Sequence, residues 1–246
     1  MKTKTYYIKK EDCKDIGWAY EIAGAEYDGN LIIDVDKAII IKGNQIVKGY
    51  QRVKGYQIVE GDQRVKGCQI VEGNQIVEGD QRVEGYQRVE GYQIVEGYQI
   101  VKGYQIVEGD QRVEGYQRVE GNQIVEGDQR VEGNQRVEGY QRVEGNQIVE
   151  GYQRVKGDQI VKGNQIVEGN QIVKGKAIIG HCKWEVIYYK EKITIGCETK
   201  TTKDWVTWFT GEDEYETKRG SLAFNQIYKT FLMAKAAQEN DEGLAQ

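Results

Sequence analysis

The chain contains no proline, one histidine and one serine in 246 residues. Proline cannot donate to a strand ladder, so its absence suits long uninterrupted pairing. It also excludes a collagen-like rod, as does the lack of glycine at every third position. The lone histidine, His181, and four cysteines without a C-x-x-C pair (Cys13, Cys68, Cys182, Cys197) leave too few ligands for a zinc site. No metal and no cofactor are expected. Cys182 and Cys197 could meet across a hairpin; the plainer reading is two small buried thiols. The single serine, Ser221, precedes an apolar pattern and reads as a helix cap rather than a nucleophile. No apolar run approaches the length of a membrane span, and Met1 to Tyr7 lack the apolar run of a signal peptide. The expectation is a chain made in the cytoplasm of the producing cell, with no membrane partner. With a net charge of -5, it shows no basic footprint for nucleic acid.

What the sequence has is glycine at every sixth residue from Gly43 to Gly175. Twenty-two consecutive hexads, Gly43 to Lys174, read G-x-Q-[IR]-V-[EK]. Positions 1, 3 and 5 are constant: Gly, Gln, Val. Position 2 is Tyr, Asn, Asp or once Cys68, position 4 is Ile or Arg, and position 6 is Glu or Lys. Six is not a multiple of 3.6, so a helix would smear the constant residues around its surface. A strand alternates faces, and the face carrying Arg, Glu, Lys and Asp must meet water. Val and Gln therefore point inward. Gly is expected at a corner, where it accepts positive φ. A lone buried amide is costly, but stacked glutamines can hydrogen-bond along an axis as a ladder. A short period held over 132 residues is the mark of a solenoid, whose repeats bury their faces only against each other.

The hexad resembles that of left-handed parallel β-helices, the hexapeptide-repeat proteins. Val matches their aliphatic position, but Gln departs from the small residue usual two places earlier. The resemblance implies three hexads per coil, about seven coils and roughly 35 Å of array from the strand spacing; two per coil is the alternative. The expected fold is mainly β: a parallel, left-handed β-helix-like solenoid over 31–180, a small N-terminal cap over 1–30, and an α+β C-terminal cap over 181–246. Leu31 to Asp36 and Lys37 to Lys42 read as apolar transition repeats, with Ile33 and Ile39 in the Gln place and Val35 and Ile41 in the Val place. Before them, Thr5 to Lys9 suit a strand and Trp18 to Ile22 an irregular or helical piece.

After Gly175, Trp184 to Tyr189 and Ile193 to Ile195 suggest a hairpin. Thr202 can cap a short helix carrying Trp205, Trp208 and Phe209. Ser221 can cap a longer one with Phe224, Ile227, Tyr228, Phe231 and Leu232 on one face, frayed from Gln238. Ile195-Gly196-Cys197, Thr201 or Thr202, Asp204-Trp205, Trp208-Phe209 and Glu214 to Gly220 resemble a C-terminal module of phage and prophage proteins, where it follows arrays of short repeats. The resemblance implies a phage context and a capping role.

Function is the harder reading. Hexapeptide-repeat acyltransferases use a histidine base near a coil junction, but His181 lies just past the last repeat with no acceptor or cofactor pocket beside it. The outward tyrosines are the feature most open to binding: Tyr86, Tyr92, Tyr98, Tyr104 and Tyr116 could grip a protein or glycan, or simply stack across strands. The expectation is a non-enzymatic, phage-associated scaffold, virion-borne or free; the alternative is an adhesin or inhibitor using these tyrosines. Capped ends imply a monomer, open ends end-to-end association.

Overall fold

The computed structural model describes residues 4–169, 171–173, 177–179, 186–189, 192–212, 214 and 217–243. Each hexad is one short strand, such as Gln63–Val65, followed by a corner at Gly. Strands pair in parallel with the strand three hexads away: Gln63 with Gln81, Arg64 with Arg82, Val65 with Val83. The coil is therefore eighteen residues, three hexads, and the chain winds into a parallel β-solenoid of about nine turns. At ~4.8 Å per parallel strand this is roughly 40 Å of rod.

Three sheets run along it. Sheet I carries Gln45, Gln63, Gln81 and so on to Gln171. Sheet II carries Gln51 to Gln159, and sheet III carries Gln57 to Gln165. Val47 to Val161 are fully buried. The glutamines are buried with them, and their mutual hydrogen bonds let a large amide stand inside the coil. From Gln75 to Gln171 each Nε2 donates to the glutamine one coil below and to the one two hexads below. Gln117, for example, reaches Gln99 Oε1 at 2.8 Å and Gln105 Oε1 at 3.4 Å. Each Oε1 in mid-array accepts two such bonds in return, as Gln117 does from Gln135 and Gln129. An amide has two N–H donors and two lone pairs, so each mid-array member of this central bundle is satisfied. The bundle ends where apolar residues take the Gln place: Ile39 pairs with Gln57, and Ala177 with Gln159. At the lower end the Gln45 Nε2 has no acceptor.

The array glycines are needed for a different reason from the one expected. Among the described array glycines only Gly43 and Gly55 have positive φ, at 95° and 86°. Elsewhere the need is space. A Cβ on Gly103 would sit 2.5 Å from the carbonyl oxygen of Gly85, one coil below. Glycine stacks on glycine at each corner, and the Gly103 N–H donates to Gly85 O at 3.2 Å.

The ladders reach below Leu31, across the boundary drawn from sequence. Thr5–Ile8 pairs in parallel with Asn30–Asp34 in sheet II, and Glu26–Tyr27 with Gln45–Val47 in sheet I. Ala19–Ala23 is a strand on Ala38–Lys42, not the irregular or helical piece expected around Trp18 to Ile22. Pairing with the Ile39–Ile41 run decides it, and Ala19 and Tyr20 are buried there. A short antiparallel strand, Lys14–Asp15, then covers Ala19–Ala23. The first transition repeat is shifted by two residues from its sequence register. Leu31 lies on Gln51 and Ile33 on Val53, so this coil has twenty residues, the extra pair falling in the turn before Ala38. The second repeat keeps its register, with Ile39 on Gln57 and Ile41 on Val59.

At the other end Ala177–Ile179 extends sheet II in parallel. Val186–Tyr189, Lys192–Ile195 and Glu198–Thr201 then continue it as an antiparallel meander. Helix α1, Thr202–Thr210, is capped by Thr201, one residue earlier than expected: its hydroxyl accepts the Asp204 N–H at 3.2 Å. Ser221 caps helix α2, Leu222–Gly243, accepting from the Phe224 N–H at 3.2 Å. Phe224, Ile227 and Phe231 are buried, whereas Leu232 is exposed. The helix continues past Gln238 to Gly243. It lies against the last strands of sheets I and II and the meander.

Candidate functional site

The outer surface is made by positions 2, 4 and 6. Position 2 sits at the corner before each strand, and its residue type decides what it does. Asn and Asp there turn their side-chain oxygen onto the backbone of the next coil: Asn74 Oδ1 accepts the Tyr92 N–H at 2.9 Å, Asp80 Oδ1 the Tyr98 N–H at 2.8 Å. All nine Asn and Asp residues at position 2 from Asn44 to Asn146 do this. These residues thus belong to the scaffold, and Asp62, Asp80, Asp110 and Asp128 form no ion pair with the arginine two places later. Arginine instead reaches glutamate: Arg88 bonds Glu108 in the next coil at 2.6 Å, and Arg130 bonds Glu150 at 2.7 Å. A hydrogen bond from Lys156, aided by Arg136 and partly opposed by burial, lowers the Glu138 carboxyl below its ordinary range. Lys162 and Arg142 do the same for Glu144.

Tyrosine at position 2 makes no such bridge. Tyr92, Tyr98, Tyr104 and Tyr152 are 56–60% exposed. The five tyrosines singled out in the sequence do not form one row. Successive hexads turn through successive sheets, so Tyr86 and Tyr104 stand on the sheet II corner, Tyr98 and Tyr116 on the sheet I corner, and Tyr92 on the sheet III corner. Within each pair the residues are one coil apart. No ring pair forms among the array tyrosines in the described residues, so stacking does not account for them. An open groove of about 240 Å³ on sheet III brings Tyr92 and Ile94 together with Asp110, Arg112, Asp128 and Arg130.

The cap motif has structural work. Trp205 Nε1 donates to Ile193 O at 2.7 Å, tying α1 to the meander. Trp205, Trp208, Phe209, Phe224 and Phe231 form one aromatic cluster, with Phe209 and Phe231 4.7 Å apart. The Arg219 guanidinium donates to Phe209 O at 3.0 Å and to Trp208 O, binding carbonyls in the last turn of α1. Glu214 accepts the Arg219 N–H at 3.0 Å.

Of the cysteines, Cys68 and Cys197 are exposed and free, so Cys197 is not the buried thiol expected. Burial raises the Cys13 thiol, with Asp12 and Glu11 adding to the effect. His181, Cys182 and Trp184 lie outside the described residues. Among the described residues no cluster of His, Cys, Asp and Glu is placed to hold a metal ion, and no helix is long and apolar enough to cross a membrane. Fold and surface together define a parallel β-solenoid with a hydrogen-bonded glutamine core. Comparison with protein-family models, curated proteins and solved structures gave no match.

Proposed function

We propose that the chain is a non-enzymatic structural scaffold, a stiff spacer whose length is set by its number of coils, working in a phage context. The observation that carries the spacer reading is the unbroken register. From Gln45 to Val173 every coil has eighteen residues, with no inserted loop on any sheet. In solenoids, insertions between repeats are where binding faces are commonly built. Near-identical hexads also suit a part that lengthens by duplication. The phage setting, virion-borne or not, rests on the resemblance of the C-terminal motif alone. Removing residues 91–144, three whole coils, is expected to leave a folded rod shorter by roughly 14 Å, read from small-angle scattering. A collapsed or unfolded product would sink the spacer reading.

The second reading is capture of a protein or glycan by tyrosine. It is favoured by the exposure of Tyr92, Tyr98, Tyr104 and Tyr152. The paired residues of one corner, Tyr98 with Tyr116 or Tyr86 with Tyr104, are then the grip. Serine at all four should abolish retention on a glycan or protein array while leaving the far-UV spectrum unchanged. An array signal that persists in this variant would exclude the tyrosines.

A further inference from the structure

The array looks evenly mixed in charge along the sequence, but the eighteen-residue coil sorts its charges by sheet. At positions 4 and 6, sheet I carries nine cations against three carboxylates among the described residues. Sheet II carries five of each, and sheet III two arginines against seven glutamates. Every coil places a glutamate at position 6 of sheet III, from Glu60 at eighteen-residue intervals to Glu168. Every coil of sheet I from Lys48 to Lys156 places at least one Lys or Arg at position 4 or 6. The aspartates at position 2 do not reverse this: two fall on sheet I, one on sheet II and two on sheet III.

Pairing within the chain neutralises these faces unequally. On sheet II, Arg52, Arg88 and Arg142 meet Glu72, Glu108 and Glu144. On sheet III, Glu78, Glu96 and Glu168 are exposed and make no ion pair among the described residues. On sheet I, Arg64, Lys66 and Arg154 likewise make none, and the Arg154 Nε is buried without a partner. One rod thus has a basic face and an acidic face, both with a period of one coil, ~4.8 Å.

We infer that a second copy of this chain docks sheet I on sheet III, so that copies associate side by side. The charge complementarity is between two faces of the same molecule, and their repeats match by construction. The contact is head-to-tail around the rod, because the two faces differ; such contacts propagate rather than close as a two-fold dimer does. Half-exposed Ile58, Ile76 and Ile94 on sheet III border the glutamate row and would lose water in the contact. The inference does not depend on the spacer reading, since a rod of any function would carry these faces.

Sedimentation velocity of the full chain tests it. At about 0.01 M salt, where the screening length is about 30 Å, species of at least twice the mass of one chain are expected. At about 1 M, with screening near 3 Å, the single chain is expected. Reversing sheet III (Glu78→Lys, Glu96→Lys, Glu168→Lys) or sheet I (Arg64→Glu, Lys66→Glu, Arg154→Glu) should abolish association in each variant alone. Mixing the two variants should restore it, because each then presents the face the other lacks. Unchanged far-UV spectra show that both fold. A wild-type chain that stays single at low salt overturns the inference. So does association that survives both reversals, which would place the contact at the strand edges of the rod ends.

Discussion

At the scale of single residues, the glutamine column decides more than its polarity suggests. Replacing Gln117 with Leu removes its bonds to Gln99 and Gln105 and strips Gln129 and Gln135 of one acceptor each. Two buried N–H groups are then left without partners, at about 1–3 kcal/mol apiece. The expected loss is about 2–6 kcal/mol in a denaturant titration, well above the ~1 kcal/mol net worth of one ordinary hydrogen bond. No measurable change would mean that water or rearranged amides replace the ladder. Glycine gives the complementary test. Gly103→Ala forces a Cβ against the Gly85 carbonyl, and overpacking of this kind typically costs about 1–3 kcal/mol. The same titration should show the loss, and a neutral result would mean that the corner can open. The alternation in the hexad made both residues legible, Gln as inward and Gly as a corner. The reason for glycine was not legible. Positive φ is a property of one residue, whereas the close stacking that excludes a Cβ arises only when a second coil lies on the first.

At the scale of elements, the ends of the rod do the defining. The lower end is closed by apolar residues in the Gln place and by Lys14–Asp15 on Ala19–Ala23. The upper end turns sheet II from parallel to antiparallel and lays α2 against it. A sheet edge left open invites pairing with another chain. Trp205 holds α1 to the meander through Ile193, so Trp205→Ala should loosen the upper cap and lengthen particles along the rod axis. Negative-stain images would show end-to-end strings in place of short rods. Short rods in the variant would show that α2 and the meander cap the end without α1. These ends were only partly legible. The hairpin and both helices followed from alternation and capping residues. The strand at Ala19–Ala23 and the two-residue shift at Leu31 did not, because both are set by a partner strand distant in sequence.

At the scale of the whole molecule, a six-residue repeat on an eighteen-residue coil has a consequence for insertions and deletions. Deleting one hexad, for example residues 103–108, leaves every Gln and Val inward and should leave the fold intact. It moves each later hexad to a different sheet, so that Glu126 follows Lys102 in the basic row of sheet I and Lys156 follows Glu138 in the glutamate row of sheet III. Low-salt sedimentation should fall toward the single chain in this variant but not when a whole coil, residues 91–108, is deleted. Equal behaviour of the two deletions would show that the sorting of charge by face has no effect on association. This sorting was invisible in the sequence because neighbours in the chain belong to different sheets, and only the coil length brings like charges together. The sameness of the hexads bears also on how the chain finds its fold. Within the array, any hexad pairs about as well with the wrong coil as with the right one, so a folding chain meets many near-equal misalignments. The twenty-residue coil at Leu31 and the apolar rows at Ile39 and Ala177 have no such duplicates. They are the marks by which the thread can find its place, and winding that begins at an end is spared a search that winding from the middle must make.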